Sequence, residues 1–265
     1  MKIAYFGYDL FYPCLEKLAA ANDVEVMKVF SFPEDEDDKN AKIRAAAKKY
    51  GIEYSEKKVS EDDICALRGL GCNLLVSAGY AYKIPVISDL KGINLHPAYL
   101  PEGRGAWPMA QTILKGLKKT GLTVHMLENK FDAGDILLQK EYILKKDETL
   151  ESLNMWFQNN SADMVYACVS DFYKFYMSRI PQSGGSYWKM PSKEDMTIDK
   201  HTTAKKAERI LRAFYGSRCF YKDGKEVFNI KKGHISYNGE KKDDVLASFE
   251  LEDGAYVCAE QLCGK

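Results

Sequence analysis

Two short segments of the chain carry side chains with complementary chemistry: an amide, an imidazole and a carboxylate. Asn94 and His96 lie in Ile-Asn-Leu-His-Pro-Ala, and Asp132 lies further along in Phe-Asp-Ala-Gly-Asp. Residues i and i+2 of a strand point to one face, so Asn94 and His96 are predicted to share it. A nearby carboxylate is expected to raise the pKa of the imidazole. An amide beside them can stabilise a developing oxyanion, so the set suits attack of an amine on a carbonyl carbon.

The length and the charge of the chain limit the classes of protein to which it can belong. With 265 residues and 46% hydrophobic content, it can bury a sizeable core, and we expect one large domain and one small domain. Lys and Arg number 38 together, as do Asp and Glu, so the formal net charge is zero. A protein that grips a polyanion usually has a basic excess or patch, which makes nucleic acid a poor candidate partner.

The cysteine pattern fits neither a disulfide framework nor a zinc site. The seven cysteines include no Cys-x-x-Cys pair, and none of the four histidines stands at ligand spacing from a cysteine pair. The first residues, Met-Lys-Ile-Ala-Tyr-Phe, are typical of a strand rather than of a signal peptide. No apolar run approaches the roughly 20 residues that a membrane-spanning helix needs. We therefore expect a cytoplasmic protein with reduced thiols, no metal and no membrane segment.

Alternating strand and helix patterns predict an α/β fold for most of the chain. Strand patterns occur at 2–6, 24–30, 52–54, 73–78 and 92–96, and helix patterns at 10–21, at 40–50 and after a capping box at Ser60. This alternation predicts a Rossmann-like, mostly parallel sheet flanked by helices. Ligands of such sheets bind at the carboxyl ends of the strands, where His96 is expected to lie.

The rest of the chain is predicted to complete this domain and to add a small one. The expected elements are a helix at 107–116, strands at 121–128 and 136–143 around a loop at 129–135, a long helix at 150–177 and a helix at 202–214. The final residues read as short strands separated by Asp-Gly and Asn-Gly turns. We therefore expect a catalytic domain at 1–178, a linker at 179–200 and a small, β-rich C-terminal domain at 201–265.

Several motifs between residues 94 and 136 resemble the formyltetrahydrofolate-dependent formyltransferase family. They are Asn94-Leu95-His96-Pro97 with Leu100-Pro101, then Arg104-Gly105, Trp107-Pro108, Thr120-Gly121-Leu122-Thr123 and Asp132-Ala133-Gly134-Asp135-Ile136. This family includes glycinamide ribonucleotide formyltransferase, methionyl-tRNA formyltransferase and amino-sugar N-formyltransferases. The likeness covers roughly residues 1–178, and residues 187–214 resemble the start of the C-terminal domain of the tRNA and sugar branches.

The resemblance implies that Asn94, His96 and Asp132 are catalytic and that the formyl donor is 10-formyltetrahydrofolate. It further implies that an amine attacks the formyl carbon, while Asn94 and a protonated His96 stabilise the oxyanion. Asp132 would sustain the charge on His96 and help to move a proton, through water. The chain departs from the family at Ala98, where Ser is usual, so we expect the support of this loop to differ.

Two loops are predicted to hold the folate, and three further residues are predicted to bind the acceptor. The predicted folate-binding residues are Ala78, Gly79, Tyr80, Leu100, Pro101, Glu128, Asn129, Lys130 and Phe131. The pterin is expected against the backbone of residues 128–131, with residues 78–80 as the opposite wall. Tyr99, Arg104 and Trp107 are the predicted substrate-binding residues, although such residues are more often ordinary loop and packing residues.

The charge pattern bears on which amine accepts the formyl group. The tRNA branch usually has a basic insertion after the second strand, whereas residues 34–39 here are five acidic residues and one lysine. Residues 201–265 contain twelve Lys and Arg against ten Asp and Glu, which is a weak attraction for tRNA. We therefore expect a small acceptor, most simply a nucleotide-linked amino sugar.

Other functions stay open from the sequence. Methionyl-tRNA formyltransferase is the first alternative, and a formyltetrahydrofolate hydrolase, in which water replaces the amine, is the second. A folate- or nucleotide-binding module without catalysis is a third, although the intact set of polar residues argues against it. A homodimer is also compatible with the sequence.

Overall fold

The structure, a computed structural model, describes residues 1–33, 39–237 and 245–263. The strands are β1 (Lys2–Gly7), β2 (Glu25–Phe30), β3 (Glu53–Ser55), β4 (Leu74–Ala78), β5 (Lys91–His96), β6 (Arg104–Gly105), β7 (Lys119–Met126), β8 (Ile136–Ile143), β9 (Tyr187–Trp188), β10 (Thr197–Asp199), β11 (Cys219–Asp223), β12 (Glu226–Ser236), β13 (Ala247–Glu250) and β14 (Tyr256–Leu262). The α-helices are α1 (Tyr12–Ala20), α2 (Ala41–Lys49), α3 (Glu61–Gly69), α4 (Pro108–Leu114), α5 (Leu150–Ser170), α6 (Phe172–Met177) and α7 (Ala204–Ala213). The acidic run that bears on tRNA binding falls on residues outside the described ranges, except for Lys39.

The chain forms two compact units, each made of discontinuous segments. The first unit consists of Met1–Arg104, Gly121–Glu141 and Met155–Tyr187, and the second consists of Gly105–Thr120, Tyr142–Asn154 and Trp188–Lys265. The predicted boundaries after residues 178 and 200 differ from this division. The physical reason is that α4, although central in the sequence, packs against α7 near the C-terminus.

The first unit is built on a seven-stranded sheet with the order β3-β2-β1-β4-β5-β7-β8. The strands from β3 to β5 pair in parallel, whereas β7 pairs antiparallel with β5. The predicted α/β fold with a mostly parallel sheet and flanking helices is thereby confirmed. Its central strand β4 is largely apolar because both of its faces are covered: all five of its residues are buried, and four of them are apolar.

Aromatic rings fill the core beside the parallel strands. The ring of Phe6 stacks on that of Phe30 at 4.9 Å, and the ring of Tyr80 meets Phe6 edge-on at 5.5 Å. The phenol of Tyr80 accepts a hydrogen bond of 3.1 Å from the backbone N–H of Val59. This bond satisfies the only polar atom of the Tyr80 side chain, so the residue can be buried at little cost.

Two local expectations about helices have different outcomes. The capping box at Ser60 is confirmed, because its hydroxyl accepts from the Asp63 N–H and the Asp63 carboxylate accepts from the Ser60 N–H. The single helix expected over 150–177 is wrong in detail, since α5 and α6 are separated at Asp171. The backbone of Asp171 leaves the helical region, with φ −120° and ψ 41°. Aspartate tolerates such a break because its side chain competes with helical hydrogen bonding.

The second unit contains a five-stranded sheet with the order β10-β11-β12-β14-β13. β10 pairs in parallel with β11, and the other pairs are antiparallel. The expected turn at Asp223-Gly224 joins β11 to β12, and Gly224 adopts a left-handed φ of 57°. The expected Asn238-Gly239 turn lies outside the described residues.

The described part of the chain contains no helix that is both long enough and apolar enough to cross a membrane.

Gly121 is required by the close approach of β7 to β8. A Cβ atom at this position would lie 2.3 Å from the Lys140 carbonyl oxygen and 2.9 Å from Cδ2 of Tyr99. We expect Gly121→Ala to cost about 1–3 kcal/mol of unfolding free energy, because backbone must move to accept the methyl group. Thermal unfolding measures this cost as a loss of roughly 2–4 °C for each kcal/mol.

The matched control for this substitution is Gly69→Ala at the end of α3, where a Cβ would meet nothing within 4 Å. We expect it to leave stability unchanged or to raise it by up to about 1 kcal/mol. Equal melting temperatures for Gly121→Ala and the unsubstituted protein would contradict the close strand approach.

Candidate active site

The pairing of β5 with β7 places the first polar residues of the site. Asn94 is directly opposite His125, and His96 is opposite Thr123. Side chains of residues opposite one another in an antiparallel pair lie on the same face, with Cβ atoms about 4.5–5.5 Å apart. The sheet therefore presents Asn94, His96 and His125 together, as the i, i+2 spacing predicted for the first two.

Asp132 completes the site from the loop between β7 and β8. Its Oδ1 lies 3.5 Å from His96 Nδ1, 3.6 Å from His125 Nε2 and 3.4 Å from Asn94 Nδ2. The predicted catalytic residues, from two segments distant in sequence, thus converge on one carboxylate oxygen. The backbone of Asp132 has φ 53°, a left-handed conformation that costs free energy in a residue other than glycine. Such strain is typical of a residue whose position is fixed by its surroundings.

The hydrogen bond of His96 fixes which ring nitrogen can exchange a proton. Nε2 lies 2.8 Å from the carbonyl oxygen of Gly103, which can only accept, so Nε2 carries hydrogen. Nδ1 then faces Asp132 and is the nitrogen that gains or loses a proton. The arrangement places a base beside a carboxylate that can stabilise the resulting cation.

The pKa of His96 is shifted in the direction opposite to the one expected from the nearby Asp132 carboxylate. Burial lowers the pKa of His96 below its ordinary value of 6.5, and this effect outweighs the raising effects of Asp132 and of the Gly103 carbonyl. His125 lowers the pKa further. The expectation of a raised pKa was therefore wrong in direction, because His96 is only 5% exposed and desolvation dominates. The lowered pKa favours the neutral ring of His96 at neutral pH.

His125 holds the amide of Asn94. The Nδ1 of His125 lies 2.8 Å from the carbonyl oxygen of Met126 and therefore carries hydrogen, so Nε2 is the ring nitrogen that can accept. Asn94 Nδ2 donates to this nitrogen over 3.1 Å. Its second hydrogen points to Asp132 over 3.4 Å, a long contact that is readily exchanged for a better acceptor. A developing oxyanion would be such an acceptor.

The loop after His96 is supported without the serine that is usual at position 98. The hydroxyl of Thr123 donates to the Ala98 carbonyl over 2.7 Å and accepts from the Leu100 N–H over 3.1 Å. Gln139 donates to both the Thr123 hydroxyl and the Leu100 carbonyl. Thr123 lies opposite His96, so the same strand pairing that builds the site also fixes this loop.

The predicted wall at residues 78–80 is built into the protein interior. Ala78 is fully buried, and Tyr80 has its ring in the core and its hydroxyl bonded to Val59. Gly79 adopts φ 82°, and a Cβ there would lie 2.3 Å from the ring of Tyr8. These contacts leave the Tyr80 side chain committed to packing, so any contact with a ligand would use the backbone of this segment.

The second predicted wall, residues 128–131, is exposed. The side chain of Phe131 is a large apolar group with 48% exposure, and the three residues before it are also exposed. Leu100, by contrast, is buried, and Pro101 follows it through a cis peptide bond. The loop before Asp132 is therefore the predicted wall that is open to a ligand.

The three residues predicted to bind the acceptor already make contacts within the protein. Tyr99 packs beside Gly121. Arg104 donates from Nε to Gln182 Oε1 over 2.9 Å and from an Nη to the Gly184 carbonyl over 3.0 Å. Trp107, in the second unit, has a left-handed φ of 49°, and its ring meets that of Phe214 at 5.3 Å. Their role in acceptor binding stays a prediction.

The sequence reasoning missed His125 and the residues that hold the two loops. His125 lies in the predicted strand 121–128, and its polarity within an apolar strand was the available signal. That signal was insufficient, because only the antiparallel register with β5 brings His125 opposite Asn94.

Comparison with known proteins identifies the family of the chain. Residues 1–169 match the profile of the family described as Formyl transferase. The chain is 31% identical to the methionyl-tRNA formyltransferase of Sulfurimonas denitrificans over 210 residues, which cover 75% of this chain and 69% of the relative. The chain therefore belongs to the formyl transferase family, and the resemblance found in the sequence is confirmed.

Solved structures of N-formyltransferases share the fold. A sugar N-formyltransferase from a Shewanella species superposes with a TM-score of 0.70 at 20% identity, covering 87% of this chain and 96% of that one. An N-formyltransferase of Helicobacter canadensis, solved with folinic acid and dTDP-3-aminofucose, gives a TM-score of 0.67 at 16% identity. That alignment covers 99% of this chain and all of the other.

The lowered pKa of His96 makes a prediction about the pH dependence of formyl transfer. If neutral His96 is the base, the rate should fall as pH decreases through a pKa below 6.5, and it should be independent of His96 ionisation above that value. The profile of kcat/KM against pH measures this pKa in the free enzyme. An acidic limb with a midpoint above 6.5 would contradict the assignment.

The same group should affect stability in the same pH range. Unfolded His96 binds a proton near pH 6.5, whereas the folded residue resists it, so its contribution to stability is present above 6.5 and is lost as pH falls through the folded pKa. Melting temperatures across this range should fall less steeply for His96→Gln than for the unsubstituted protein. Parallel curves would show that the His96 pKa is not lowered by folding.

Proposed function

We propose that the protein transfers the formyl group of 10-formyltetrahydrofolate to the primary amine of a nucleotide-linked amino sugar. The observation that carries the proposal of formyl transfer is the convergence of Asn94 and His96 on the Asp132 carboxylate, in a chain of the formyl transferase family. An amide donor, a neutral imidazole and a carboxylate supply what attack of an amine on a formyl carbon requires.

His96 would accept the proton that the attacking amine must lose. As the bond between the amine nitrogen and the formyl carbon forms, an N–H proton moves to Nδ1 of His96, directly or through water. The charge that this creates on the ring lies beside the Asp132 carboxylate at 3.5 Å. Asp132 thus stabilises the cation when it forms, although burial keeps the ring neutral beforehand.

Asn94 would stabilise the oxygen that becomes negative during attack. Its amide exchanges the long contact to Asp132 for a hydrogen bond to this oxygen, while the contact to His125 keeps the amide oriented. One such donor is worth about 3 kcal/mol of activation free energy. His96 then returns its proton to the leaving nitrogen of the donor as the carbon–nitrogen bond to the formyl group breaks.

The donor would be held beside Asp132 by the exposed loop 128–131. A pterin ring carries both hydrogen-bond donors and acceptors on one edge, and the backbone of an exposed loop can pair with that edge. Phe131, with 48% exposure, offers an apolar surface to the remainder of the ring system. Folinic acid in the Helicobacter canadensis structure supports a folate donor for this fold.

Two observations support a sugar rather than a tRNA acceptor. The charge of the chain is balanced, and residues 201–265 have twelve basic and ten acidic residues, which gives weak attraction for a polyanion. The chain also superposes on 96% of a sugar N-formyltransferase and on all of an N-formyltransferase that was solved with dTDP-3-aminofucose. Methionyl-tRNA is the second candidate acceptor, because the similar sequence from Sulfurimonas denitrificans is a methionyl-tRNA formyltransferase.

A panel of acceptors tests this proposal. The protein is incubated with 10-formyltetrahydrofolate and, separately, with dTDP- and UDP-linked amino sugars, with methionyl-tRNA and without acceptor. We expect release of tetrahydrofolate together with an N-formylated sugar nucleotide. Turnover of methionyl-tRNA alone would transfer the function to the second candidate, and release of formate without acceptor at the full rate would indicate a hydrolase.

Asp132→Asn tests the role of the carboxylate in the same assay. We expect kcat to fall by about 10²–10⁴-fold, because the variant loses the charge that stabilises protonated His96 while it keeps the side-chain volume. Asp163→Asn on α5 is a matched control, since Asp163 is exposed and forms an ion pair with Lys17. If both variants kept full activity, the proposed proton transfer would be wrong.

A further inference from the structure

Residues 179–186 contact both loops of the candidate active site within the first unit. We call residues 97–104 the His96 loop and residues 127–135 the Asp132 loop. The sequence predicted that 179–186 belonged to a linker. Instead, Arg179 donates to the Asp135 carboxylate over 2.9 Å, and Ile180 exchanges two backbone hydrogen bonds with Ile136. The segment therefore follows the end of the Asp132 loop closely.

Gln182 forms two hydrogen bonds with the backbone of the Asp132 loop. Its Nε2 donates to the carbonyl oxygen of Asp132 over 2.9 Å and to that of Gly134 over 2.7 Å. Both hydrogens of one amide thus bind carbonyls on the two sides of Ala133. The two hydrogen bonds fix the orientation of these carbonyls. They thereby hold the backbone conformation in which Asp132 has its left-handed φ of 53°.

Arg104 fixes the orientation of the Gln182 amide. Its Nε donates to Gln182 Oε1 over 2.9 Å. A guanidinium can only donate, so the atom of Gln182 that faces it must be the oxygen, and the nitrogen must face the two carbonyls. A second donor of Arg104 binds the Gly184 carbonyl, which holds the guanidinium in the same segment.

The other end of the segment fixes the His96 loop. The Ser186 hydroxyl accepts from the Gly103 N–H over 3.1 Å, and its backbone pairs with Pro101 and Arg104. Gly103 is also the residue whose carbonyl accepts from His96 Nε2 over 2.8 Å. A closed ring of contacts thus runs from His96 through Gly103, Arg104 and Gln182 to Asp132, and back to His96.

We propose that Gln182 is a positioning residue for catalysis, which keeps the Asp132 carboxylate facing His96 by fixing the carbonyls of Asp132 and Gly134. Arg104 serves this role by orienting the Gln182 amide. The inference rests on the proposed formyl transfer, in which Asp132 stabilises the proton on His96. Gln182 binds the backbone carbonyls of Asp132 and Gly134, so it acts through the backbone of the loop.

Two substitutions of Gln182 separate its contacts. Gln182→Met keeps the side-chain length and removes every hydrogen bond. Gln182→Glu keeps an oxygen for Arg104 but presents a carboxylate oxygen to two carbonyls. Gln111→Met is the control, because Gln111 also donates from Nε2 to a backbone carbonyl, that of Lys189, through a solvent-exposed hydrogen bond within the second unit.

We expect both Gln182 variants to lower kcat about 10–100-fold, since misplacement of a catalytic group by about 1 Å has effects of this size. KM for either substrate should stay within about threefold, because Gln182 contacts the loop backbone rather than a ligand. Gln111→Met should retain the kcat of the unsubstituted protein. Unchanged kcat in both Gln182 variants, or an equal fall in the control, would overturn the proposal.

A second readout does not depend on turnover. Titration of the His96 ring by NMR follows its pKa, which Asp132 raises and His125 and burial lower. Loss of the carboxylate from its position should lower this pKa in Gln182→Met. An unchanged titration, with the variant folded by circular dichroism, would overturn the positioning role. If no acceptor is formylated by the unsubstituted protein, the proposed function fails, and this titration still decides the role of Gln182.

The role of Arg104 is tested by a double-mutant cycle. Arg104→Met should lower kcat, and its effect should not add to that of Gln182→Met, because both act on one amide. A raised KM for the acceptor, with effects that multiply in the double variant, would instead assign Arg104 to substrate binding and overturn its orienting role.

Discussion

The candidate site depends on holding one carboxylate oxygen, Asp132 Oδ1, among three side chains that are largely shielded from water. A buried charge is tolerated only with close polar partners, and here Asn94, His96 and His125 all lie within 3.4–3.6 Å of it. The Asp132 loop must therefore approach the sheet closely. A Cβ on Gly134 would lie 2.0 Å from the Met126 carbonyl, so glycine is required where the loop returns towards β7.

The sheet changes from parallel pairing between β4 and β5 to antiparallel pairing between β5 and β7, and this change brings the polar groups together. The parallel neighbour on the other side of β5 is β4, which is buried along its whole length and carries apolar core residues at four of its five positions. β7 runs antiparallel, which sets His125 directly across from Asn94 and Thr123 across from His96. One strand pair thereby supplies both a partner for the catalytic amide and an anchor for the loop after His96. The register between β5 and β7 therefore determines both the sheet and the candidate site.

The features of the site that depend on residues close together in the sequence could be predicted, whereas those that depend on distant residues could not. The face shared by Asn94 and His96 and the capping box at Ser60 depend on spacing along the chain, and the sequence predicted both. The partner of Asn94 depends on strand register, which spacing within one strand does not encode. Arg104 was predicted to bind substrate because of its charge, whereas Gln182, 78 residues away, receives its hydrogen bond. Such long-range partners are set by tertiary packing.

The direction in which the His96 pKa shifts results from two opposing effects, burial and the charge of Asp132. The carboxylate was identified correctly and does favour the protonated ring, but at 3.5 Å it makes a long contact, whereas burial removes water from the whole imidazole. A neutral base in the resting state is the consequence. The same burial strengthens the attraction between His96 and Asp132 once a proton arrives, because few waters screen it. The site can therefore be uncharged at His96 before attack and still stabilise the cation that attack produces.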